Sequence, residues 1–192
     1  MNKPRDFLLY AGLGTTLGVA LLVLFFLGPR WLTTAPAESP GVATPAGEAR
    51  KIRARLFYVN AEGTGLSGTE QEVMYGEGAV EQAKRLIEAQ LATPAPPLTS
   101  AIPAQTKLRS VFLTARGEAY VDLSAEFRAN HPGGTTNEGL SVYSLVSALT
   151  ANLPAVTSVQ ILIDGKEVDT LAGHLDLRRP LVQDSRWVTN AN

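Results

Sequence analysis

The chain contains no cysteine. Disulfides, thiolate metal sites, cysteine nucleophiles and a lipid-bearing cysteine behind a leader are therefore excluded. Histidine is scarce as well, with His131 and His174 far apart in sequence. A functional metal site usually wants three protein ligands, and no HExxH or DxDxDG spacing is present. Serines and threonines are plentiful, but none stands in GxSxG or SxxK. There is no Walker loop, and Gly63, Gly65 and Gly68, although spaced as GxGxxG, form a loop rather than a phosphate cradle. The formal net charge is only −1 and aromatics make up 7%. Basic residues are dispersed and not interleaved with aromatics, so nothing drives the chain towards nucleic acid. These absences describe a protein that binds rather than catalyses, without cofactor or metal.

What is present is apolar mass. The chain has 192 residues, 45% of them hydrophobic and 18% charged, which is room for one ordinary domain with appendages. From Phe7 to Leu27 no residue is charged. A helix of that length spans roughly 30 Å, the thickness of a bilayer's hydrocarbon core. Lys3 and Arg5 precede it, so the positive-inside bias places residues 1–6 in the cytoplasm and the bulk of the chain outside. The rival reading is a cleaved leader, with Ala35-Pro36-Ala37 as a loose cleavage site, but the apolar run is too long for one. Gly14 and Gly18, four apart, suit close approach of two anchors, although glycine is common in such helices by chance. Residues 28–49 hold prolines at 29, 36, 40 and 45 and too little apolar surface to fold, so they form an extended linker.

The domain is expected over residues 50–181. Lys51–Val59 alternates as a strand, Asn60–Thr69 reads as a Gly-rich loop and Gln71–Tyr75 as a short second strand. Glu77–Leu91 has helical spacing, with Val80, Ala83, Leu86, Ile87 and Leu91 on one stripe. Ile102-Pro103 breaks the chain, and two β-rich runs around Gly117 then read as a hairpin. A second helix is expected from about Asn137 to Leu153, with Val142, Leu145, Val146, Leu149 and Leu153 facing inward. Thr135, Thr136 and Asn137 are its candidate N-caps. Val159, Ile161 and Ile163 lead into Asp164-Gly165, the preferred two-residue hairpin turn, and Val168 and Leu171 continue on the return strand. From Arg178 onward the chain is polar, and residues 182–192 read as a loosely attached tail. The fold expected is α/β of the α+β type, with two helices on one face of a mixed, mostly antiparallel sheet behind one transmembrane helix.

The order of Ile102-Pro103, a strand, Gly117, Val121-Asp122-Leu123-Ser124, a helix, Gly165 and a closing Gly173-His174 resembles the GerMN domain family, named for sporulation and spore germination proteins. The resemblance covers roughly Ile52 to Leu181. It implies an α/β domain like the ring-building modules of bacterial envelope assemblies, with no established enzymatic activity.

Beside that resemblance, Asp122, His174 and Asp176 are the residues that a metal or acid/base cluster would use. The competing reading gives Asp122 to backbone N–H groups at a turn and His174 to a capping hydrogen bond, and it is the one favoured here. The expected role is an extracytoplasmic scaffold or protein-interaction domain anchored in the cytoplasmic membrane; the alternatives are a cell-wall binding module and, behind it, an envelope hydrolase with an unrecognised site. Its partners are the membrane, another envelope protein and, as the alternative, cell-wall peptidoglycan or glycan. The first strand and the one before Asp164 are the sheet edges expected to accept a partner strand.

Overall fold

The computed structural model describes residues 50–189. The expected anchor, the Gly14–Gly18 pair and the linker lie outside the described residues. Among the described residues no helix is long and apolar enough to cross a membrane.

The alternating start of the domain forms β1 (Lys51–Val59), paired antiparallel with β2 (Leu66–Met74) from Lys51↔Met74 to Val59↔Leu66. The second strand is thus longer than the sequence suggests, because Ser67 to Thr69 pair with β1 instead of remaining in the loop. Helix α1 (Gly78–Leu91) follows and buries Ala83, Leu86 and Ile87. Val80, expected on that stripe, is exposed. The central hairpin joins β3 (Leu108–Leu113) to β4 (Glu118–Leu123). Gly117 sits in its link at φ +84°, and a Cβ there would stand 2.7 Å from the Ala155 carbonyl oxygen. Conformation and space therefore both demand glycine.

A short helix, α2 (Glu126–Ala129), buries Phe127. Helix α3 (Thr135–Asn152) then leads to β5 (Ser158–Ile163), which pairs parallel with β4. The N-cap of α3 is Gly134, without a side-chain cap; the expected cap Asn137 instead donates to the Gly133 carbonyl at 2.9 Å. The Asp164-Gly165 turn is present with both residues at positive φ, 50° and 75°, as the mirror-image hairpin turn requires. The return strand β6 is only Lys166–Glu167. Two further short strands close the chain, β7 (Leu181–Val182) on β5 and β8 (Val188–Thr189) on β2.

The strands make two sheets rather than the expected one: β1-β2-β8, and a second ordered β3-β4-β5-β6 with β7 also on β5. Helix α3 packs against β1 of the first and β5 of the second, while α1 meets β3 as well as β1 and β2. Each helix thus touches strands of both sheets, which corrects the expectation of helices on a single face. Alternation identifies strands but not which of them pair, so the division was invisible in the pattern. Its consequence shows on α3, where every residue from Glu138 to Leu149 is buried. A helix covered on all sides needs no polar face. Ser141, Ser144 and Ser147 supply small side chains there, and Ser144 Oγ donates to the Ser141 carbonyl at 2.8 Å.

The segment expected as a loose tail is fastened to both sheets. Leu66 N–H donates to the Trp187 carbonyl at 2.7 Å, and Thr189 Oγ1 donates to the Leu66 carbonyl at 3.2 Å. The Trp187 ring stacks on Tyr143 with centroids 5.5 Å apart, and it occupies the space a Cβ on Gly139 would need. Two-residue strands and one tryptophan leave no periodic signal, so only the folded chain shows the attachment.

Candidate functional site

Three polar centres tie the loops of the domain to its helices and strands. The first surrounds Glu138, in the first turn of α3 and wholly buried. Its Oε1 accepts the N–H groups of Leu171 at 2.8 Å and Ala172 at 3.0 Å. Its Oε2 accepts the His174 N–H at 2.9 Å and faces His174 Nδ1 at 3.2 Å. Burial alone would raise the pKa of this carboxyl, but the backbone N–H bonds around it outweigh burial and hold it below its ordinary 4.5. The carboxylate thereby shapes the Leu171–His174 loop, in which Gly173 takes φ +97°. The return strand expected to continue through Leu171 ends at Glu167, and β7 takes the edge of β5 at Ser158 and Val159 instead. Sequence reasoning missed Glu138. Its signal was a charge opening an uncharged run that lasts to Asp164, and a charge in such a run must be partnered if it is buried.

The second centre joins Asp122 to the β5–β6 turn. Asp122 Oδ1 accepts the Gly165 N–H at 2.7 Å, while Oδ2 accepts Arg109 Nε at 3.0 Å. Arg109 also reaches Asp164 at 3.3 Å. Leu123 is buried, and its carbonyl accepts the Asp164 N–H at 2.9 Å. Ser124 exchanges two bonds with Lys107, accepting its N–H on Oγ at 3.0 Å and donating its own N–H to the Lys107 carbonyl at 2.9 Å.

The third centre lies where Ile102-Pro103 crosses α3. Ile102 is buried and donates its N–H to Ser100 Oγ at 3.1 Å. The Pro103 carbonyl accepts Thr106 Oγ1 at 2.7 Å. Gly133 N–H donates to His131 Nδ1 at 3.0 Å, which leaves Nε2–H to donate to Ser141 Oγ at 3.2 Å, and Ser141 Oγ–H donates to the Ala101 carbonyl. An imidazole beside a hydroxyl invites comparison with a nucleophile–base pair. Here the hydroxyl is fully buried and its proton points at a backbone carbonyl, so the arrangement clamps a loop onto a helix.

Asp122, His174 and Asp176 do not come together. His174 belongs to Glu138 and Asp176 to Arg178 at 2.8 Å. No group of three His, Asp or Glu side chains able to hold a metal occurs among the described residues.

Two surface features remain. From Arg55 to Val59 the outer edge of β1 is sealed: Asn152 bonds the N–H and C=O of Arg55, both at 2.8 Å, and Gln90 those of Phe57 at 2.9 and 2.7 Å. Val59 N–H meets the Thr99 carbonyl at 2.9 Å. The strand before Asp164, β5, is interior, with β4 on one side and β6 and β7 on the other. Of the two edges expected to accept a partner strand, β5 is therefore occupied and β1 is occupied from Arg55 to Val59. The outer edge of β3, by contrast, bonds to nothing among the described residues, and Phe112 on it is 60% exposed. Elsewhere, an open hollow of about 340 Å³ is lined by Thr64, Thr136, Tyr143, Leu175, Arg186 and Trp187.

Two sheets touching a shared pair of helices, with polar centres spent on holding loops, define an α/β domain. The chain belongs to the Germane family, described as sporulation and spore germination, whose model matches residues 55–169. Among solved structures it is similar to a candidate lipoprotein from Clostridium perfringens, at 24% identity and TM-score 0.51, covering 70% of this chain and 89% of that one. It is also similar to the tandem GerMN domains of the sporulation protein GerM from Bacillus subtilis, at 18% identity and TM-score 0.52, covering 70% of this chain and 46% of that one. The first GerMN domain of GerM alone aligns at 21% identity and TM-score 0.50, covering 69% of this chain and 96% of that one. At these identities the likeness is one of fold. No curated protein matches the chain.

Proposed function

We propose that this protein is a membrane-anchored, extracytoplasmic interaction domain of the bacterial envelope, which joins another envelope protein and catalyses nothing. The family supports the setting, and the uncharged Phe7–Leu27 run supports the anchor. One contrast carries the interaction: β1 is sealed by side-chain amides at Arg55 and Phe57, whereas β3 keeps an unpaired edge beside exposed Phe112. Folded proteins generally cover or charge such edges. Among the described residues the outer edge of β2 beyond Ser67 is also unpaired, but that strand carries Glu70 and Glu72, exposed and ion-paired with Arg53 and Lys51, and a charged strand resists strand addition. The partner that fits β3 is an extended segment of another envelope protein, with main-chain bonds supplying affinity and an apolar side chain covering Phe112. Tethering both molecules to one membrane raises their effective concentration, so the contact works even when weak in solution.

A photo-crosslinking residue at position 112, in intact cells, tests this reading. A discrete adduct with another envelope protein is expected, absent when the probe sits at Arg55 on the sealed edge of the opposite sheet and absent when the anchor is deleted. Equal labelling from positions 112 and 55 would overturn it.

A further inference from the structure

We propose that the hollow between the first turn of α3 and the C-terminal segment receives the ring of a neutral sugar in a glycan. It shares no residue with the β3 edge and does not depend on the role proposed for that edge. Its apolar side is built from Leu175 and Trp187, whose indole is stacked on Tyr143 and remains partly exposed. An aromatic ring combines a broad apolar contact with little conformational entropy to lose, which suits the apolar face of a sugar ring.

The polar side consists of hydroxyls. Tyr143 is 7% exposed, yet its hydroxyl makes no hydrogen bond with the described residues, and the side chain lines the hollow. The hydroxyls of Thr64 and Thr136 are likewise without a partner among the described residues. Each hydroxyl both donates and accepts, which matches a ligand whose own groups are hydroxyls. Charge argues against an anion. Arg186 is the one ionic group of the lining, and Asp184 holds it through bonds of 2.6 to 3.0 Å. The hollow therefore offers stacking and hydroxyl exchange without net charge. Its volume lies at the small end of ligand sites, about right for one or two rings.

The test uses the full chain in a detergent without a sugar headgroup, carrying Trp31→Phe so that Trp187 is the only tryptophan. Titration with the N-acetylglucosamine tetramer should change Trp187 emission saturably. Tyr143→Phe and Thr136→Val each remove one hydroxyl with little change of shape, and each should weaken binding about 3- to 10-fold, as expected for the loss of one hydrogen bond. Arg116→Gln, at the exposed link of the central hairpin and outside both sites, should leave the titration unchanged. No saturable response up to about 10 mM, a binding free energy of only about −3 kcal/mol, would overturn the proposal. So would a response that survives both hydroxyl deletions undiminished in variants whose near-ultraviolet circular dichroism matches the parent.

Discussion

Gln90, at the end of the first helix, holds both backbone groups of Phe57, accepting its N–H at 2.9 Å and donating to its carbonyl at 2.7 Å. One carboxamide supplies the donor and acceptor of a missing strand. Asn152, at the end of the long helix, does the same for Arg55. Together they turn an edge that would accept a neighbour into one that is already satisfied.

Gln90→Leu should therefore do two separable things. It strands a buried donor and acceptor, so the unfolding free energy in urea should fall by about 2–4 kcal/mol. It also reopens the edge, so aggregation on concentration should increase, as followed by light scattering. Asn152→Leu acts nearer the surface and should cost less.

Stability at low pH should depend on Glu138. Its backbone bonds hold the folded pKa below 4.5 against the opposing effect of burial. A carboxyl whose pKa is lowered by folding stabilises above its unfolded value, and that contribution is lost as pH falls through the folded value. Glu138→Gln keeps the shape but presents an amide N–H₂ to a cluster of N–H donors. It should cost about 2–4 kcal/mol near neutrality. The gap between parent and variant should narrow below pH ~4.5, and urea titrations across that range would read it.

Asp122→Ala removes the acceptor for Gly165 N–H and the partner of Arg109. Stability should drop by about 1–2 kcal/mol. His174→Ala should cost less, because its exposed ring adds one contact to a loop that three backbone N–H bonds already hold. Thermal melts of the two variants give the order directly. Tight zinc binding by the parent, lost in either variant, would reassign these residues to a metal site.

Topology follows from Phe7–Leu27 and the cations before it. A reporter fused after Asn192 should be active outside the cytoplasm, with the chain retained in the membrane fraction. A soluble chain beginning near Glu38 would show instead that the segment is a cleaved leader.

Local signals accounted for much of this domain. The first strand, both main helices, the central hairpin and the Asp164-Gly165 turn were legible because each depends on neighbours in sequence: alternation, a helical stripe, or a glycine at positive φ. What the sequence could not settle was pairing between distant segments. Whether the strands form one sheet or two, that the long helix is covered on every side, and that Trp187 returns to lie over Gly139 were decided by contacts between residues far apart. The same holds for the candidate sites. Glu138 is an ordinary helix-opening acid until Leu171–His174 folds over it, and Gln90 is an ordinary surface amide until β1 passes beside it. Periodicity tells which face of an element is apolar. Only the closed tertiary structure decides which backbone groups it leaves without partners, and therefore which edge and which hollow remain open to another molecule.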